Sequence, residues 1–124
     1  MKMPIFAYEP NDLSVFSTEE AAEAYIEAID VLNGEYDYFF DADGYLLDAI
    51  VDADSYTPDA IIVEYRPVKL QPVEPPKQDT QALFGILHRH VSHDLAVKGQ
   101  PTEWLEEATL ADLVAWVSEN ALTY

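Results

Sequence analysis

Residues 36–51 read YDYFFDADGYLLDAIV, and this stretch predicts a β-hairpin at the centre of the fold. Two runs rich in aromatic and β-branched residues, 36–40 and 45–51, flank the loop residues Asp41-Ala42-Asp43-Gly44. A loop of this length that ends in glycine is typical of a type I turn followed by a left-handed residue. Residues 60–67, AIIVEYRP, have the composition of a third strand. Residues 5–8 suit either a short first strand or a packed amino-terminal segment.

A helix is predicted to precede the hairpin. Ser17 can cap its start, because Glu20 stands three residues later, as in a capping box. The expected buried stripe of this helix is Ala22, Tyr25, Ile26 and Ile29.

Two more helices are predicted in the carboxy-terminal third. One begins at Asp79 or Thr80 and runs to Lys98, where Gly99 and then Pro101 end it. The other begins at Thr109, which has Asp112 three residues later. Their expected core residues are Leu83, Phe84, Leu87, Val91, Leu95, Leu110, Leu113, Val114, Val117 and Ala121.

Together these elements indicate an α+β fold. We expect a small antiparallel sheet of about three to four strands, packed with three helices as a single pair of layers. Residues 1–124 should form one domain, since a chain of this length can bury roughly two-thirds of its unfolded surface. The β-rich half is expected over 1–70 and the helical half over 78–124, joined by the proline-rich connector 71–76.

The charge distribution is the strongest functional signal in the chain. The formal net charge is −18, and between Met3 and Arg66 the chain has sixteen carboxylates but no lysine or arginine. A hydrophobic content of 49% is too high for a disordered acidic tail, so the charge belongs to a folded body. A field of one sign repels nucleic acid and anionic membranes and attracts basic proteins.

Several classes of protein are disfavoured by what the sequence lacks. The chain has no cysteine, which excludes disulfides, thiolate nucleophiles and sulfur-rich zinc sites. The amino-terminal residues do not form a signal peptide, and no segment has the roughly 18 apolar residues of a membrane span. We therefore expect a cytoplasmic protein that contacts neither membrane nor nucleic acid directly.

Metal and cofactor sites are not expected. If Gly44 were the sixth residue of a calcium loop, Phe39 and Ile50 would hold the first and last ligand positions, and neither can coordinate calcium. His90 and His93 are spaced to share a metal ion, but a zinc site would need a further ligand. A core or interface histidine is the favoured interpretation of His90, and the cluster with His88 could respond to pH.

The sequence does not favour an enzyme. Carboxylates are numerous, but the sequence shows no second polar cluster that would complete a catalytic site with them. The four glycines do not form a phosphate-binding loop.

Three stretches resemble small bacterial immunity proteins of polymorphic toxin and contact-dependent growth inhibition systems. They are residues 25–36, YIEAIDVLNGEY, residues 40–47, FDADGYLL, and residues 103–110, EWLEEATL. The similarity extends over 14–66 and 102–122 and involves structural motifs, whereas residues 67–100 show none. The resemblance implies a cytoplasmic inhibitor that binds one cognate toxin domain, commonly a nuclease, in a one-to-one complex.

The charge distribution also indicates a basic toxin domain as the partner, because a toxin that binds RNA or DNA needs a basic cleft. Acidic side chains would pair with the lysines and arginines of the toxin, and a few aromatics would supply most of the binding energy. The candidate partner-binding residues are Glu20, Glu23, Glu27, Asp37, Asp41, Asp43, Asp48, Asp52, Asp54, Tyr45 and Tyr56. Each one taken alone is more often a solvated or core side chain.

The main alternative is an acidic nucleic-acid mimic that inhibits a DNA- or RNA-binding protein. Such a protein would carry carboxylates spaced like phosphates along an elongated surface. A small-ligand binder or enzyme would instead show a polar pocket with perturbed titrating groups.

Overall fold

A computed structural model of the chain describes residues 1–51 and 68–124. The fold is α+β, as predicted, but the described strands divide into two small antiparallel sheets. The elements are β1 Ile5–Glu9, β2 Asp12–Phe16, α1 Glu19–Tyr25, α2 Ala28–Leu32, β3 Tyr38–Phe40, β4 Leu47–Val51, β5 Val68–Pro72, α3 Thr80–Lys98, a 3-10 helix Glu103–Glu107, and α4 Leu110–Asn120.

The three-stranded sheet has the order β2-β1-β3 and is buried on both faces. Alternation along β1 sends Phe6 to a cluster that contains the core residues of α3 and α4. Ile5 and Ala7 point the other way, into a cluster shared with α1, α2, β4 and β5. Helices therefore cover both sides of this sheet, where the sequence had suggested a single pair of layers.

Strand β2 was missed by the sequence prediction. It follows β1 through a tight turn in which Asn11 has a positive φ of 66°, and its alternation is interrupted by Ser14, which is buried. Thr123 and Tyr124 cover its outer edge, because Thr123 N–H donates to Val15 O at 2.7 Å and Ser17 N–H donates to Tyr124 O at 2.8 Å. This pairing satisfies an edge that would otherwise be open to another strand.

The predicted first helix is two short helices. Its cap is Thr18, whose hydroxyl accepts from Ala21 N–H, and not Ser17. After Tyr25, two residues with extended ψ values, Ile26 and Glu27, separate α1 from α2.

The break redirects the apolar residues, so the predicted buried stripe is wrong in part. Ala22 and Ile26 are buried as expected, but Tyr25 and Ile29 are exposed, and Ala28 takes the buried position on α2.

The predicted turn at Asp41–Gly44 is confirmed, but the hairpin is short. Gly44 has a φ of 83° and its N–H donates to Asp41 O at 3.1 Å. Beyond the bridge between Phe40 and Leu46, β3 pairs with β1, whereas β4 pairs with β5. Strand β5 begins directly after the predicted strand 60–67, which lies outside the described residues.

The two carboxy-terminal helices are confirmed with their caps. Asp79 accepts from Ala82 N–H at 3.0 Å at the start of α3, and Gly99 ends the helix with a φ of 66°. Thr109 and Asp112 form a reciprocal capping box at α4. The core residues they share with the sheet are Leu83, Leu87, Val91, Leu95, Leu113 and Val117.

Candidate partner-binding surface

The predicted acids of the first helix do not share one face, because that helix ends at Tyr25. Glu20 is exposed in the first turn of α1, and Glu27 is exposed at the residue before α2. Glu23 is half-buried, and its carboxylate accepts from Leu70 N–H at 2.7 Å. Glu23 therefore joins α1 to β5, whereas Glu20 and Glu27 remain accessible to a partner.

Asp41 is an internal structural group despite its place in an acidic loop. Its side chain is 4% exposed and accepts three backbone N–H groups. The donors are Asp43 and Tyr45, each at 3.0 Å, and Lys2 at 3.3 Å. A carboxylate that accepts several N–H bonds stabilises a turn and has little capacity left for a partner.

The other predicted residues near the hairpin differ in their accessibility. Asp43 forms an ion pair with Lys2 at 3.4 Å, and about a third of Tyr45 is exposed. Asp37 is exposed beside β3, and Asp48 is exposed on β4. The remaining three candidates, Asp52, Asp54 and Tyr56, lie outside the described residues.

Four carboxylates gather around α2, and of these the sequence reasoning selected only Glu27. We call Glu9, Glu27, Asp30 and Glu35 the acidic rim. A hydrogen bond between the side chains of Glu35 and Asp30, together with the nearby charges of Asp30, Glu9 and Glu27, raises the pKa of Glu35.

Tyr36 lies beside the acidic rim and is half-buried. Burial, the charges of Glu9 and Asp30, and a hydrogen bond to Glu9 all raise the pKa of its hydroxyl, so it stays protonated at neutral pH. Its ring centroid lies 4.8 Å from that of Phe39. Tyr36 therefore fixes the loop after α2 to the sheet at the place where the negative charges converge.

Large apolar side chains are exposed next to the same carboxylates. Ile29 is 48% exposed and Leu32 is 61% exposed, and we call these two side chains the apolar face of α2. Tyr25 is 42% exposed, and its ring lies 5.2 Å from the rings of both Phe16 and Tyr124. The surface near α2 thus combines an apolar centre with acidic surroundings.

Few of the negative charges are neutralised by the protein itself. In residues 1–51 and 68–124 the ion pairs are Lys2 with Asp43 and Lys98 with Asp94. None of the acidic rim takes part in either pair. The field of this surface therefore extends into solvent, where salt screens it over about 8 Å at physiological ionic strength.

The three histidines occupy different environments on α3. His90 is half-buried, and burial lowers its pKa. His88 and His93 line a shallow groove of about 600 Å³ on α3, together with Phe84, Arg89 and Ser92. Within the part of the chain that the structure covers, no three His, Cys, Asp or Glu side chains are placed to hold a metal ion.

None of the described helices is both long enough and apolar enough to cross a membrane. Comparison with protein-family models, with curated proteins and with solved structures finds no significant match.

Proposed function

We propose that this protein is an immunity protein that binds and neutralises a cognate toxin domain, with a nuclease as the favoured class. The inhibitor acts in the cytoplasm as a one-to-one complex and is not itself an enzyme. It blocks the basic substrate cleft of the toxin or an adjacent surface. The observation that carries the proposal is the large negative charge that the described residues leave almost entirely without ion-pair partners.

The negative charge would accelerate association with a basic partner by electrostatic steering. A nuclease needs a positive cleft to hold phosphates. An inhibitor of opposite sign is drawn toward that cleft and can associate at up to about 10⁸–10⁹ M⁻¹s⁻¹ at low salt. Rapid capture protects the cell, because free toxin does damage until it is bound.

The resemblance of residues 25–36 and 40–47 to immunity proteins supports the same conclusion. These residues form α2, the loop after it and the turn at Gly44. They position Glu27, Asp30 and Glu35 outside the core, where a basic partner can reach them.

Capture followed by a growth assay tests the proposal. The tagged chain is isolated from cells that normally produce it, and a co-purifying protein is identified and expressed alone or together with the chain. We expect a single basic domain that stops growth when expressed alone and is harmless when co-expressed. Failure to rescue growth, or a partner without a basic surface, would contradict the proposal.

The same capture separates an immunity protein from a nucleic-acid mimic. From a lysate freed of DNA and RNA, a mimic recovers several general nucleic-acid-binding proteins, and added DNA displaces them. An immunity protein recovers one toxin domain, and excess DNA does not displace it once the complex has formed.

A further inference from the structure

The outer face of α2 is an unusual surface for a helix in a folded protein. Ile29 and Leu32 are three residues apart on one side of the helix, so their side chains are neighbours. Both are exposed, whereas the small residue Ala28 holds the buried position. A helix that stabilised only its own fold would be expected to bury the large side chains and expose the small one.

The chain geometry accounts for this orientation. Ile26 and Glu27 have ψ values of 122° and 133°, so α2 does not continue the rotation of α1. Ile26 is 2% exposed and anchors the link between the two helices in the core. Because the buried Ile26 fixes this link, α2 is held in an orientation that directs Ile29 and Leu32 away from the core.

Negative charge surrounds this apolar face, and no lysine or arginine among residues 1–51 and 68–124 forms an ion pair with it. Glu27 and Asp30 lie on and beside α2, and the Glu35 N–H donates to Asp30 O at 3.0 Å. Glu9 adds a further charge at the end of β1, which lies beside the loop after α2 because the Asp37 N–H donates to Tyr8 O at 2.8 Å. An apolar centre with a charged rim is the usual arrangement of a protein interface with a few dominant residues.

We infer that the apolar face of α2 is where the cognate toxin docks, which rests on the proposed function above. The complementary surface of the toxin has an apolar pocket for Ile29 and Leu32, flanked by lysine or arginine side chains. Those cations pair with the acidic rim, and one of them bridges Asp30 and Glu35. The hairpin loop contributes less, because Asp41 and Asp43 already have partners within the chain.

Charge complementarity favours this occupant over a second copy of the chain. Two copies that met through α2 would bring two acidic rims together, and like charges placed opposite each other oppose association. A basic partner removes that repulsion and covers the apolar side chains in the same step.

Two matched pairs of variants test the inference, with the domain identified by capture and growth rescue as the probe. The double variant Ile29→Ser and Leu32→Ser is compared with Val97→Ser and Leu122→Ser, which also alters two exposed apolar residues. The triple variant Glu27→Gln, Asp30→Asn and Glu35→Gln is compared with Glu103→Gln, Glu106→Gln and Glu107→Gln, which changes the net charge equally. Thermal melts confirm that each variant is folded.

We expect the α2 double variant to raise the Kd by about 100-fold through faster dissociation, since each dominant interface residue contributes roughly tenfold or more. The rim triple variant should slow association more than its matched control does. If the α2 variants bound the toxin domain and rescued growth as well as their matched controls did, the assignment of the docking site to α2 would be wrong, but the proposed function would stand. Absence of any basic partner would remove the proposed function as well. If the unaltered chain formed dimers and the α2 double variant were monomeric, a second copy of the chain would occupy the apolar face of α2. That result would also overturn the inference.

Discussion

Replacement of Asp41 by alanine should destabilise the protein strongly, even though the residue lies in a loop that appears from sequence to be a solvated acidic turn. The carboxylate accepts two N–H groups at 3.0 Å and a third at 3.3 Å. Hydrogen bonds to a charged group contribute about 1.5–3 kcal/mol each, and a long bond contributes less. Asp41→Ala should therefore lower the free energy of unfolding by about 3–5 kcal/mol, a large part of the roughly 5–15 kcal/mol of a typical domain.

Urea denaturation with two comparison variants measures this effect. Asp41→Asn keeps one acceptor oxygen for Asp43 and Tyr45 but cannot accept from Lys2 through its NH₂ group, so we expect a loss of about 1–2 kcal/mol. Asp37→Ala, at an exposed carboxylate nearby, should stay within about 0.5 kcal/mol. If Asp41→Ala unfolded at the same urea concentration as Asp37→Ala, the structural role of Asp41 would be refuted.

Two further changes test local features of the structure. Glu35→Gln should stabilise the fold at neutral pH, because the raised pKa of Glu35 means that its charged form is disfavoured in the folded state; urea melts should show the difference shrinking as the pH falls toward and below 4.5. Gly44→Ala should lower stability by about 1–2 kcal/mol or more, since the φ is 83° and a Cβ would lie 3.1 Å from Thr80 Cα. Gly85→Ala, in open space within α3, should instead stabilise by about 0.5–1 kcal/mol.

The parts of the fold that are determined by residues close together in sequence could be predicted. The caps of α3 and α4 and the left-handed Gly44 follow from side chains within a few positions of one another. The break after Tyr25 could not be predicted, because residues 19–32 have the composition of one continuous helix. Packing of Ile26 and Ala28 against the sheets decides the outcome there, and it also exposes Ile29.

The negative charge of the candidate site could be predicted from sequence, but the residues that form the site could not. Net charge and the absence of basic residues between Met3 and Arg66 are properties of composition alone. Which carboxylates remain accessible depends on bonds between distant positions, such as Leu70 N–H to Glu23, 47 residues apart in sequence. Asp41 was partly recognisable, because an aspartate that accepts from the residues after it is typical of a turn.

The approach of Glu9 to Asp30 and Glu35 had no sequence signal. It results from the position of the end of β1 beside the loop after α2, where Asp37 N–H donates to Tyr8 O at 2.8 Å. Only the three-dimensional arrangement adds the charge of Glu9 to the surface around Ile29 and Leu32.

The most direct test of an electrostatic inhibitor is the association rate with its captured partner, measured by stopped flow at increasing salt concentration. A steered complex should associate more than tenfold faster at about 10 mM salt than at about 500 mM, while its dissociation rate changes little, because screening acts mainly on the encounter. An association rate that stayed constant over this range would contradict the claim that the negative surface recruits a cationic partner.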